Sequence, residues 1–375
     1  MPQESKLFTP LGAEAVIRTF NLCFLGFGNV NRTVVRLLED RAHDLRERYG
    51  ITYRITGIAS RRLGWVVDPQ GFESASLLTF DPDREGHDFS RALKGSQEPG
   101  LQPPRDLKIT PYPKGDVRTW LSAARANVLF EATSLNVENG QPAVDHIRAA
   151  LEHGAHAITA NKGPIVHAYR ELRDLARLQQ KKFLFESTVM DGVPIFSLFD
   201  QLPAIRLQGF HGIFNSTTNV ILSEMEQGLS FDNALKKAQQ LGIAETDATH
   251  DIDGWDAAVK TAALITVLMD APIRLDQIQR EGIRDLTASA VRNAKRDGWP
   301  FKLVCRAKRV GDAVNASVAP EKVRSGEPMA RIAGTSSYVY FETDIFPGLA
   351  ITEENPGLYA TAYGLLADFV RACTE

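Results

Sequence analysis

The sequence predicts an α/β fold: a parallel sheet wrapped by helices in the first half of the chain, followed by a second domain of α+β type. Three observations predict it. Residues 20–59 read as strand, helix and strand, a βαβ unit. Strands and helices go on alternating as far as Pro194, the pattern of a sheet covered on both faces. Beyond Pro194 helices and strands come in runs, which marks a change of architecture. A chain of 375 residues also exceeds the usual size of one domain, so two sharing an interface are expected.

Residues 20–25 are apolar and β-prone and stop at Gly26, as a buried strand does. A helix starts at Asn29, with Val30, Val34, Leu37, Leu38 and Leu45 on one face, and Gly50 ends it. Residues 53–59 are the second strand. Residues 61–116 are less regular, and the turn-rich stretch 94–105 is expected to be an exposed loop. Order resumes with a strand at 128–132, a helix over 142–153, a strand at 155–159, a helix over 165–179 and a strand at 183–189. In the second part a strand at 208–214 precedes several helices, including 232–241, 255–269 and 288–296. Strands then cluster at 303–310, 313–318 and 338–342. A last helix spans 359–373, with Leu365, Leu366, Phe369 and Val370 available for packing.

Acidic and basic residues nearly balance, for a net charge of −3, so no basic field is available to hold nucleic acid or an anionic membrane. Small polar metabolites and a bound cofactor are the expected partners. Cys23, Cys305 and Cys373 are far apart and form neither a disulfide framework nor a zinc motif, which suits a reducing, cytoplasmic setting. Residues 1–20 lack the basic region and apolar core of a signal peptide, and no run of about 18 apolar residues suggests a membrane span.

Gly26-Phe27-Gly28-Asn29-Val30-Asn31 occupies the strand-to-helix turn of the first βαβ unit. Gly26 allows the tight turn, and Gly28 lets backbone approach a pyrophosphate. The helix start offers free N–H groups and a partial positive charge to the phosphates. Together these make the first half a Rossmann-type dinucleotide-binding domain. Asn31 stands where Gly or Ala is usual, which predicts a helix set slightly further from the strand. At the end of the second strand the chain reads Ala59-Ser60-Arg61-Arg62, with no acid to bond a ribose 2′-hydroxyl. Ser60 and Arg61 suit a 2′-phosphate instead, so NADP(H) is the expected cofactor and NAD(H) the alternative.

Asp256 and Lys260 are four apart and share one helix face, which places a carboxylate beside a lysine able to hold a proton for an alkoxide or carbonyl oxygen. By itself such a pair is more often a structural ion pair. His250 has no second His or Cys at ligand spacing, so a zinc role is set aside, and Ser187 and Thr188 have no nearby His motif for nucleophilic hydrolysis.

Several segments together resemble the homoserine dehydrogenase family, in its short form without a regulatory domain. They are Val128-Leu-Phe-Glu-Ala-Thr133, Thr159-Ala-Asn-Lys-Gly-Pro164, Glu186-Ser-Thr-Val-Met-Asp-Gly-Val-Pro194, Gly212-Ile-Phe-Asn-Ser-Thr-Thr-Asn219 and the stretch from Leu241 to Lys260. Asn355-Pro-Gly-Leu-Tyr-Ala-Thr-Ala362 is similar to the family's C-terminal return helix. The resemblance implies a cofactor domain at 1–190, a substrate and dimerisation domain at 191–350, and a helix at 351–375 returning to the first. It implies Lys260 as the acid–base residue, with Lys162 and Asp256 beside it, and Glu245, Asp251 and Asp256 as an acidic pocket for an amino-acid substrate. Ser216 and Thr217 would lie between cofactor and substrate, and Thr133, Ser134 and Lys162 along the nicotinamide end. The backbone at Glu186, Val189, Asp191 and Val193 resembles a loop whose carbonyls hold Na⁺ or K⁺. The implied activity is reversible NAD(P)-dependent oxidation of L-homoserine by a homodimer.

Three departures touch the pocket: Ile243 where many relatives carry Tyr, Met190-Asp191 in place of small residues, and Ser216 in place of Gly. They keep open a dehydrogenase acting on another small hydroxy or amino acid. A non-catalytic nucleotide sensor is the other alternative, which two retained lysines argue against.

Overall fold

The computed structural model describes residues 16–61, 64–79, 110–112 and 115–374, the third of these as backbone only. The expected loop at 94–105 lies outside the described residues. Among them, seven strands form one sheet in the order β4-β3-β2-β1-β5-β6-β7. The five strands β1 (Arg18–Leu25), β2 (Ile51–Ser60), β5 (Val128–Glu131), β6 (His156–Thr159) and β7 (Phe183–Leu184) run parallel. At one edge β3 (Gly64–Phe72) and β4 (Thr110–Tyr112) join antiparallel.

Strand β1 lies at the centre, and its pleat explains its apolar run. Leu22 and Phe24 enter one core with Val34, Leu38 and Phe130, while Cys23 and Leu25 enter another with Trp120, Leu121, Ile147 and Ile165. The first core faces helix α1 (Asn29–Asp40); the second faces α4 (Val117–Ala124), α5 (Ala143–His153) and α6 (Gly163–Leu178) and continues into the second part of the chain.

Local departures from the sequence reading have physical causes. The single helix expected from Asn29 to Gly50 is broken at Arg41 (φ −108°, ψ 7°) into α1 and α2 (Ala42–Tyr49). Leu45 still reaches the core of α1, and Gly50 at φ +64° ends α2. The strand expected at 183–189 stops at Leu184. A 3₁₀ turn, Glu186–Thr188, follows, because the Glu186 amide donates to the Asp368 carboxylate and leaves the sheet. The region 61–116 contains β3, β4, α4's cap and the short helix α3 (Ser74–Thr79).

The second sheet runs β13-β12-β8-β10-β11-β9. At its centre β8 (Leu207–Ile213) pairs antiparallel with β10 (Phe301–Val310) and β12 (Ser337–Thr343). Outside them lie β11 (Ala313–Lys322), β9 (Gln279–Arg280) and β13 (Leu349–Glu353). Helices α7 (Ile195–Asp200), α8 (Ser216–Glu226), α9 (Phe231–Gln240), α10 (Thr249–Ile252), α11 (Trp255–Leu268) and α12 (Ala288–Arg296) accompany it. The last helix, α13 (Leu358–Thr374), returns to the first sheet: Leu365, Leu366 and Phe369 join the core of Leu22 and Phe24. The Phe369 ring meets Phe20 edge-on at 6.1 Å, and Arg18 donates to the Cys373 carbonyl.

Candidate active site

Strand order reverses between β2 and β5, on either side of β1, and such a switch point opens a crevice at the strands' C-terminal ends. The glycine turn stands there. Gly26 has φ +82°, and a Cβ on it would lie 2.4 Å from the Ala132 carbonyl oxygen, so only glycine fits. Its amide and that of Phe27 donate to the Ala59 carbonyl at 2.8 and 3.3 Å, stitching the turn to the end of β2, where Ser60 and exposed Arg61 follow. No side chain caps α1, which leaves its first-turn amides at Asn29 and Val30 for a phosphate. Asn31 is buried within the turn, and its amide donates to the Leu25 and Gly26 carbonyls at 3.3 and 3.1 Å. It fastens the helix start to the strand rather than merely spacing them.

Across the crevice, fully buried Glu131 accepts from the Thr133 amide at 3.0 Å and from the Thr159 hydroxyl at 2.7 Å. The Asn161 amide donates to the Thr133 and Ser134 carbonyls at 3.1 and 3.4 Å. Glu131 and Asn161 therefore hold Thr133 and Ser134 at the rim, a role the sequence reading did not assign them.

One carboxylate ties the two halves of the chain together. Lys162, between β6 and α6, lies 3.3 Å from Asp256 Oδ1, and Lys260, one turn along α11, lies 3.2 Å from Asp256 Oδ2. The three side chains are 18 %, 19 % and 17 % exposed, enough for a small ligand to reach them. Lys260 Nζ also donates to the Phe214 carbonyl at 2.6 Å, where β8 ends. Asn215 caps α8 and donates to Asp251 Oδ1 at 2.7 Å and Asp256 Oδ2 at 3.1 Å. It is a site residue the sequence reading passed over, although it lies within a quoted motif. Next to it, Ser216 Oγ donates to the Thr335 carbonyl and Thr217 Oγ1 to the Ile243 carbonyl.

Burial alone would raise the Asp256 acid, but the charges of Lys260 and Lys162 and the Asn215 amide outweigh it and hold the carboxyl well below the usual range. Burial likewise disfavours the Lys260 ammonium, yet Asp256, Asp191 and Asp251 together raise it above an ordinary lysine. Asp251 is pushed up by burial and by Asp256. Burial and the charge of Asp191 raise the Glu353 carboxyl to about 7 against the pull of Lys260, which brings a second unassigned residue into the electrostatics of the site. Glu245 stands apart: its side chain is exposed.

The stretch 186–193 borders the cluster. Glu186 accepts from the Phe196 and Ser197 amides at 2.7 and 3.0 Å and pairs with Arg371 at 3.5 Å. The Val193 carbonyl accepts from the Ile195 amide, Val189 is buried, and Asp191 takes the Thr361 hydroxyl. Among the described residues no group of three or more His, Cys, Asp or Glu side chains is placed to hold a metal ion. Of the four backbone carbonyls expected to hold Na⁺ or K⁺, that of Val193 is taken by the Ile195 amide.

Residues 194–370 match the family model described as "Homoserine dehydrogenase", and residues 103–186 match "Homoserine dehydrogenase, NAD binding domain". The chain is 33 % identical to an NAD(+)-dependent homoserine dehydrogenase of Pseudomonas canavaninivorans, over 94 % of this chain and 95 % of that one. It is 31 % identical to a homoserine dehydrogenase of Methanocaldococcus jannaschii, over 93 % and 97 % of the two chains. A crystal structure of a putative homoserine dehydrogenase from Archaeoglobus fulgidus superposes with a TM-score of 0.78 at 26 % identity, covering 95 % of this chain and all of the other.

Proposed function

The chain belongs to the homoserine dehydrogenase family, and from that premise we propose that the Lys162–Asp256–Lys260 cluster is where its reaction takes place. The enzyme is an NAD(P)-dependent oxidoreductase that interconverts L-homoserine and L-aspartate 4-semialdehyde, a step of amino-acid biosynthesis from aspartate towards threonine and methionine. NAD(P)⁺, when bound, accepts the hydride that leaves the carbinol carbon. Gly26, Phe27, Gly28, Asn29 and Val30 are the residues for its pyrophosphate, with Thr133, Ser134 and Lys162 towards the nicotinamide.

Lys260 takes the hydroxyl proton as the hydride departs and returns it to the carbonyl oxygen in the reverse direction. Its bonds to Asp256 and the Phe214 carbonyl fix where its Nζ stands before substrate arrives. Lys162 adds a second positive charge beside the oxygen as it becomes negative. Asn215 orients both Asp251 and Asp256, and Ser216 and Thr217 line the junction with the cofactor. Glu245, being exposed, serves at most at the mouth of the pocket. The observation that carries this reading is the carboxylate shared by a lysine from each half of the chain, an arrangement a nucleotide sensor has no need of.

For the cofactor's finer identity, Ser60 and Arg61 support NADP(H), with NAD(H) as the alternative. We take residues 1–190 as the cofactor part completed by 351–375, and 191–350 as the substrate and dimerisation part. Among the described residues no helix is long and apolar enough to cross a membrane, and all three cysteines are free and buried, which supports a reducing cytoplasmic location.

One assay tests the reading: purified protein, L-homoserine, and each nicotinamide nucleotide, followed by the absorbance of the reduced form. Turnover is expected with both nucleotides and a higher kcat/KM with NADP⁺. Lys260→Ala should lower kcat by about 10²–10⁴-fold while still binding nucleotide. Undiminished turnover in that variant would remove Lys260 from the mechanism.

A further inference from the structure

Two residues, Asp253 and Gly254, join α10 to α11, the second at φ +78°. They separate Asp251 from Asp256, whose oxygens lie 2.7 and 3.1 Å from the one Asn215 amide nitrogen. Two carboxylates gathered on one nitrogen repel each other, so the turn between them has to be held in place.

The segment that begins in β9 grips this turn. Arg280 is fixed to the second sheet by its pairing with Val318 of β11, and the Glu281 amide donates to the Val318 carbonyl at 2.8 Å. From that anchor the Arg280 guanidinium lies over the Trp255 ring, 3.8 Å from its centroid, and donates to the Asp253 carbonyl. Gly282 packs so closely that a Cβ on it would lie 2.6 Å from the Asp253 Cα. The Ile283 amide donates to the Ile252 carbonyl at 2.9 Å, and Arg284 pairs with the Asp253 carboxylate at 2.9 Å. The Arg284 pair is open to water, where such pairs contribute little. Arg280 is half-buried and uses both the face and the edge of its guanidinium, which a lysine reproduces only in part.

We propose that Arg280 is a positioning residue for the reaction: clamped on Trp255 and the Asp253 carbonyl, it holds Asp251 and Asp256 at the spacing that Asn215 bridges, and so keeps Asp256 between the two lysines. The inference rests on the reading that Lys162, Asp256 and Lys260 form the reaction site. The bonds of Arg280 go to the turn, so it acts through Asp256 and not on the reacting atoms. A misplacement of about 1 Å at a reacting group can cost about 100-fold in rate.

The test is a double-mutant cycle of Arg280→Ala and Asp256→Asn in steady-state oxidation of L-homoserine, with NADPH affinity from fluorescence as a check of the fold. Arg280→Ala should lower kcat about 10- to 100-fold and leave NADPH affinity within about threefold of wild type. Arg280→Lys should recover part of that loss, because it restores a charge over the ring. In protein already carrying Asp256→Asn, Arg280→Ala should lower kcat by less than about threefold, since the carboxylate it places is gone. Equal losses in the two backgrounds would mean that Arg280 serves the fold alone and would overturn the inference, as would a wild-type kcat in Arg280→Ala. If Arg280→Ala fails to bind NADPH, Trp255→Leu takes its place in the cycle and the same outcomes decide. Wild-type protein inactive on homoserine would overturn the reading of the site and this inference together; active wild type with equal losses in both backgrounds overturns only this inference.

Discussion

Asp256 meets two ammonium groups and one amide, and together they overcome the effect of its own burial. The consequence passes to Lys260, whose ammonium is kept charged beyond the ordinary lysine range by Asp256, Asp191 and Asp251 against its burial. Reduction of the semialdehyde uses the charged form and should hold level through neutral pH, falling only as Lys260 loses its proton. Oxidation of the alcohol needs the neutral form, so its kcat/KM should climb with pH towards that same ionisation. Asp256→Asn keeps the shape and removes the charge. It should move the oxidation limb to lower pH by about one pH unit or more and lower kcat, as read from pH–rate profiles. An unmoved limb would show that Asp256 does not set the proton affinity of Lys260. Asp256 and Lys260 are visible in the sequence because four residues on a helix make one face. Asn215 and Glu353 are not, since their bonds and charges come from residues tens to more than a hundred positions away.

Among the elements, α13 carries the clearest energetic argument. Phe369 is fully buried between Phe20 and Phe130, its ring 6.1 and 5.9 Å from theirs. Phe369→Ala should cost about 3–5 kcal/mol, because it removes apolar contact and leaves a cavity against β1 and β5. Chemical denaturation would measure this, and a loss below about 1 kcal/mol would mean that α13 does not secure the first sheet. The apolar positions of this helix are legible in the sequence, and its destination comes from the resemblance. The strand β3 is less legible, because Asp68-Pro69-Gln70 interrupts any alternation. Pro69 is tolerated there since β4 pairs only with Trp65, Val66 and Val67, and a residue beyond the ladder need not donate. Likewise β7 is shorter than its apolar run because Glu186 is drawn away by Asp368 and the start of α7.

For the molecule as a whole, the second core passes without a break from Cys23 and Leu129 to Phe210, Ala262 and Val339, so both sheets rest on shared apolar contacts. That continuity keeps Lys162 and Lys260 on one carboxylate. At the far edge of the second sheet β13 pairs on one side only, and large apolar side chains stand exposed on its flanks, Ile345 and Phe346 before it and Tyr359 and Tyr363 after it. Open edges and exposed apolar groups are what a second copy covers, and two-fold dimers are the commonest assembly. Light scattering should therefore give a mass near twice 41.4 kDa, and a monomer's mass would refute the dimer. The two-part architecture is legible from the changing rhythm of strands and helices. The meeting of the two parts is not, because no local pattern records which distant faces come together.

The return of α13 also sets the order in which the protein is finished. Arg18 and Cys373 are bonded although 355 positions separate them, and the core around Leu22 and Phe24 is completed by residues of the last helix. During synthesis the first sheet leaves the ribosome early with one apolar face covered only in part, by α1, and that cover is completed only when residues 358–374 have been made. Contacts so distant along the chain are slow to form, and the waiting face is open to aggregation. The nucleotide crevice is thus assembled from the earliest part of the chain but becomes stable only with the latest.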